Sequence, residues 1–138
     1  MTAALARRLG ERGLAAAAAL VLPVAARLLP LRATLALCDR WPSHPGRRRL
    51  RHPPAALAER VRRWMLRGRG PWADTCLTRA LVLYAVLRQH GHRPRLHIGV
   101  AGSARQFTAH AWVSVDGRPV GEAPGALERY RELLVHAA

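Results

Sequence analysis

The sequence contains no lysine: its 23 basic side chains are all arginine, set against 8 Asp and Glu, for a formal net charge of +15. An all-arginine choice reads as coding bias more than as a designed nucleic-acid surface. Such a surface still attracts acidic peptides, phosphates and anionic lipid head groups, with little selectivity among them. Cysteine is scarce as well. Cys38 and Cys76 are too few for a disulfide scaffold and point to a reducing, cytoplasmic setting. Aromatic residues make up only 5%, so alanine, leucine and valine must fill the core. Half of the residues are hydrophobic, which excludes disorder over most of the chain. There is no internal repeat, no phosphate-binding glycine loop, and no Cys or carboxylate at ligand spacing from His92 or His97. Nothing in the sequence therefore predicts a nucleotide, a cofactor or a metal.

A long apolar run is also missing. Leu14–Ala26 is thirteen residues without a charge, broken by Pro23, and a spanning helix needs about 20. The basic start suits a signal peptide, but no small-residue cleavage site follows. The reading adopted is a helical segment that packs on the protein or lies on a membrane surface. Arg40–Pro54, with four prolines, Gly46 and the charge run Arg47–Arg51, is the strongest loop signal, and its charges suit a solvated surface. The expected organisation is therefore 1–54, an apolar helical segment and basic loop, and 55–138, the domain that carries chemistry.

Within 55–138, Leu57, Val61, Trp64 and Met65 have helical spacing. A second helix starts at Asp74 or Thr75, either of which can cap it, and stops at Gly91. Leu96, Ile98 and Val100 alternate as a strand, and so does Phe107 to Val115. Asp116–Gly117 then predicts a hairpin turn into a short strand at Pro119–Glu122, where Pro119 suits a sheet edge. Leu127, Tyr130, Leu133 and Leu134 predict a closing helix within Gly125–Ala138.

Cys76 falls in the first turn of its helix, where unpaired amides and the helix dipole favour a thiolate and can hold an oxyanion. A cysteine in that position is more often simply a buried small residue. His110 strengthens the catalytic reading. It shares a strand face with Trp112 and Ser114, opposite the apolar Ala111, Val113 and Val115, and so meets either solvent or a groove. A third group must orient the imidazole. Asp116 reads well as a turn residue, and the returning strand brings Glu122 back beside His110. Arg79 suits an ion pair, and Trp72 and Trp112 suit either a groove wall or packing.

The stretches Cys76–Leu77–Thr78–Arg79–Ala80–Leu81, Leu87–Arg88–Gln89–His90–Gly91, Leu96–His97–Ile98–Gly99–Val100 and Ala109–His110–Ala111–Trp112–Val113–Ser114–Val115–Asp116–Gly117 resemble the B-protein leader peptidases of lasso-peptide biosynthesis. The resemblance covers about residues 55–125. It implies an α+β papain-like, transglutaminase-like core, with Cys76 as nucleophile and His110 as base. The family's acid, normally aspartate, lies twelve residues after the histidine, and here that position is Glu122. The resemblance further implies a precursor leader peptide as substrate, a separate leader-recognition protein as in the split members of the family, a lasso cyclase partner, and no cofactor. Two other readings stay open. One is transglutaminase-type acyl transfer to an amine at the same site. The other is a non-catalytic basic protein that binds nucleic acid or a membrane surface.

Overall fold

The computed structural model describes residues 3–42 and 52–138, with no side chains at 3–9 or 11. The arginine run 47–51 lies outside the described residues. Among those described, the helices are α1 (Ala3–Leu28), α2 (Leu31–Asp39), α3 (Pro54–Met65) and α4 (Cys76–Gln89). The strands are β1 (Pro94–Ser103), β2 (Gln106–Val115), β3 (Arg118–Val120) and β4 (Arg131–Ala137), in one antiparallel sheet of order β3-β2-β1-β4. The fold is α+β.

Helix α4 is the centre. Every residue from Ala80 to Leu87 is buried, as expected of a helix that is apolar all round and must be covered on all sides. The first three helices cover one side and the sheet covers the other. Leu14, Ala18 and Leu22 of α1, Leu35 and Cys38 of α2, and Leu57 and Val61 of α3 are buried, as are Leu96, Ala111, Val113 and Val115 from the strands. Each fully buried leucine contributes roughly 1.5–3 kcal/mol relative to exposure, so the apolar N-terminal helices are a structural half of the core. Gly10, at φ +66°, interrupts α1, which carries no charge from Leu14 to Ala26 and has Pro23 inside it.

Asp39, at the end of α2, ties three elements together. Its carboxylate accepts hydrogen bonds from the Tyr84 hydroxyl at 2.7 Å and from His136 Nε2 at 2.9 Å, and Arg88 donates to its carbonyl at 2.8 Å. Burial, with the Asp39 carboxylate beside it, pushes the Tyr84 hydroxyl well above its ordinary pKa.

The C-terminus departs from the helix expected there. Residues 131–137 form β4, which pairs with β1 from Arg95↔Ala137 to Val100↔Arg131, with a bulge between Ile98 and Gly99. The apolar triplet Leu133–Leu134–Val135 satisfies helical spacing and strand alternation equally well. The unpaired edge of β1 decides for the strand, because its buried amides need partners. Elsewhere the expected elements form, although the short strand expected at Pro119–Glu122 is Arg118–Val120 and Glu122 lies past its end. Asp116 (φ 51°) and Gly117 (φ 76°) make the two-residue β2–β3 turn, and Pro119 lies in the edge strand, opposite Ser114.

Candidate active site

Thr75 caps α4. Its side chain accepts from the Thr78 amide at 3.2 Å, and Thr78 Oγ1 accepts from the Thr75 amide at 3.1 Å. This reciprocal box serves the cap and third-position amides. The amides of Cys76 and Leu77, the first two helical positions, are left without an intrahelical acceptor. Asp74 does not cap. It takes a two-pronged ion pair from Arg79, at 3.0 and 3.1 Å, which ties the entering chain to the first turn and fixes the start of α4 from both sides.

A cavity of about 130 Å³ opens at this helix start. Cys76, Arg79, Ala80 and Leu83 line it from α4, His110 to Val113 from β2, Val120, Gly121 and Glu122 from the end of the hairpin, and Ala55, Ala58, Glu59 and Arg62 from α3. His110 Nε2 donates to Glu122 Oε1 at 2.9 Å, with both side chains about one-fifth exposed. The bond uses Nε2 and leaves Nδ1 as the nitrogen available to a thiol. Gly121 makes it possible: its φ is +75°, and a Cβ there would sit 3.1 Å from Ala58 Cβ. The chain therefore turns back beneath α3 and delivers Glu122 to the imidazole. At the rim, hydrogen bonds from Arg62 hold the Glu59 carboxyl down at about 2, and Arg63 adds to the effect.

The three residues singled out in the sequence thus line one cavity, and Asp116 does not: it is exposed in the turn. The two cysteines differ sharply. Both are free. Cys38 is buried against the Leu81 carbonyl, and burial, helped by Asp39, raises its thiol to about 12. Cys76 is only partly covered and lines the cavity. A thiol that keeps its proton cannot act as a nucleophile, which leaves Cys76.

Two aromatic side chains flank the imidazole. Trp112 stacks on His110 at 6.0 Å, Tyr130 stacks on it at 5.3 Å, and Trp112 lies against Tyr130 at 6.2 Å. Trp112 lines the cavity while Trp72 does not; Trp72 donates its indole N–H to the Leu20 carbonyl of α1 at 2.9 Å. Behind Trp112 lies a second histidine that sequence reasoning did not connect to the site. His97 stacks on the indole at 5.2 Å, donates from Nδ1 to Glu132 at 2.8 Å, and accepts at Nε2 from the Ser114 hydroxyl at 2.6 Å. The expected C-terminal helix had hidden both Tyr130 and Glu132. Among the described residues, no group of three or more His, Cys, Asp or Glu is placed to hold a metal ion.

A thiol at a helix start, lining one cavity with an imidazole held by a carboxylate, is equipped for thiol-nucleophile acyl transfer. Residues 14–135 match the model of the transglutaminase-like superfamily, and the chain belongs to that superfamily, whose members are typically cysteine peptidases or acyltransferases. No curated protein and no solved structure is detectably similar to the chain. Among the described residues, no helix is long and apolar enough to cross a membrane.

Proposed function

We propose that the protein is a cysteine peptidase that removes the leader from a ribosomally made precursor peptide during lasso-peptide maturation. The observation that carries the peptidase reading is the His110–Glu122 bond at 2.9 Å, in the cavity that Cys76 also lines. The motif resemblance around Cys76 and His110 carries the choice of substrate.

The Cys76 thiolate attacks the carbonyl carbon of the leader–core peptide bond. The carbonyl oxygen becomes an oxyanion at the Cys76 and Leu77 amides. His110, protonated at Nδ1, gives that proton to the leaving amine as the C–N bond breaks, and a thioester remains on Cys76. His110 then takes a proton from water, which attacks the thioester and releases the leader as a carboxylic acid with the thiol restored. Glu122 holds the ring and stabilises the imidazolium through Nε2. A separate leader-recognition protein presents the precursor, and the freed core amine passes to a lasso cyclase.

Mass spectrometry of a precursor incubated with the protein and a leader-recognition partner tests this. Cleavage abolished in Cys76→Ala and His110→Ala supports the assignment. Cleavage that survives Cys76→Ala overturns it. A product heavier than the free leader acid, by the mass of an amine less water, assigns the site to acyl transfer instead.

A further inference from the structure

Helix α1 is apolar on two faces. Leu14, Ala18, Leu22 and Ala25 are buried in the core. Leu20, Val21 and Leu28, on the outward side, are 59%, 44% and 77% exposed, and Ala16 and Val24 continue their stripe at helical spacing. No charge interrupts residues 13–26. Exposed Arg12 stands at one end of the stripe, with exposed Arg27 and Arg32 at the other. At 1.5 Å per residue, Arg12 and Arg27 are separated by roughly 22 Å along the helix. The Gly70–Trp72 turn extends the face sideways: Trp72 donates to the Leu20 carbonyl, Arg27 donates to the Gly70 carbonyl at 3.2 Å, and the Trp72 ring is 40% exposed.

We propose that this face docks the protein, lying flat, on an anionic phospholipid surface. Charge selects the occupant. Residues 1–38 hold five arginines and one acid, so a second copy of the chain laid on the same face would set arginine against arginine. A lipid surface instead offers phosphates to the arginines at each end and acyl chains to the stripe between them, which has no hydrogen-bonding side chain to satisfy. The indole at the edge suits the head-group level, where tryptophan is favoured. The helix lies in the interface and does not cross it.

The test is co-sedimentation of the full chain with vesicles of phosphatidylcholine alone, and of phosphatidylcholine mixed with phosphatidylglycerol. The chain sediments with the mixed vesicles and not with the neutral ones. Binding weakens by about tenfold or more in Leu20→Ser/Leu28→Ser, and comparably in Arg27→Gln/Arg32→Gln. All four side chains are exposed, and unchanged thermal melting confirms that each variant folds; the arginine pair keeps the test decisive should the leucine pair not fold. Absence of binding to mixed vesicles overturns the proposal. So does undiminished binding by Leu20→Ser/Leu28→Ser, which would reduce the effect to diffuse charge attraction. A dimer in light scattering that Leu20→Ser dissociates would mean that a second copy covers the face, and would overturn it too.

Discussion

Glu122→Gln separates a carboxylate that assists catalysis from one that merely fills space. The side chain is nearly isosteric, and its amide oxygen can still accept from His110 Nε2 at the 2.9 Å now spanned by the carboxylate. Position is kept and charge is lost. A hydrogen bond to a charged group is worth about 1.5–3 kcal/mol and a neutral one about 0.5–1.5. The variant therefore loses about 1–1.5 kcal/mol of imidazolium stabilisation, roughly a tenfold fall in kcat/KM. Glu122→Ala removes the whole bond and costs about 2 kcal/mol, near 30-fold. Asp116→Gly leaves activity unchanged, because Asp116 is exposed and sits at φ 51°, where glycine is at ease. The assay is precursor cleavage followed by mass spectrometry. The alkylation rate of Cys76 by iodoacetamide at neutral pH, which needs no substrate, serves as a second readout. Full activity in Glu122→Gln and Glu122→Ala, or loss of activity in Asp116→Gly, would refute the assignment of the third group.

Iodoacetamide labels Cys76 in the folded protein and spares Cys38 until denaturant is added, as peptide mapping will show; rapid labelling of both would contradict the burial of Cys38. Gly121→Ala forces a side chain onto a φ of +75° and against Ala58, so activity falls while Cys76 alkylation without substrate continues, and stability drops by about 1 kcal/mol or more in a urea titration. Leu81→Ala, in the middle of the buried helix α4, costs about 2–5 kcal/mol by the same titration. Stability also falls on the alkaline side. The folded Cys38 thiol keeps its proton to about 12, while the unfolded one releases it from about 9; the folded state thus binds more protons in that window, and stability decreases as pH rises through it. By pH ~11 the loss from Cys38 is about 2–3 kcal/mol, and Cys38→Ala flattens the slope of urea midpoint against pH.

The candidate site residues are local features and could be read from the chain. Thr75 before an apolar run and Gly91 after it define α4, so Cys76 at its first turn is visible without any tertiary information. Alternation across Phe107–Val115 and the Asp116–Gly117 turn do the same for His110 and bring Glu122 back beside it. The rest depends on partners distant in sequence. Leu133–Leu134–Val135 has no preference that distinguishes helix from strand until the free edge of β1 is known. Tyr130 and Glu132, which depend on that choice, were hidden with it. The wall formed by Ala55, Ala58, Glu59 and Arg62 is equally silent in the sequence. Its helix reads as an ordinary amphipathic one, and only the close approach at Gly121 brings it over the cavity.

Among the described residues, two sheet histidines are each bonded to a glutamate, and judged by bonding alone the pair outside the Cys76 cavity looks more like a catalytic triad. His97 has an acid on Nδ1 and a serine hydroxyl on Nε2 at 2.6 Å, the order used by serine hydrolases. Yet Ser114 is 6% exposed and is not among the residues lining the Cys76 cavity, so no carbonyl can approach its oxygen. His110 has only its acid, and its second nitrogen is left for a thiol in an open cavity. A triad therefore cannot be assigned from hydrogen bonds without access. The His97 group has a different use. With Gly99 bare, since a Cβ there would come within 3.0 Å of the Trp112 ring, the indole lies flat on His97 and nearly parallel to His110, at interplanar angles of 3° and 18°. Buried except at the half-exposed Glu132 carboxylate, that group holds the tryptophan against which the His110 imidazole rests. His97→Ala should accordingly lower stability and loosen His110 while the thiol remains alkylatable. Should His97→Ala abolish cleavage while thermal stability and the alkylation rate of Cys76 stay at wild-type values, the supporting role would be wrong and His97 would belong to the chemistry itself.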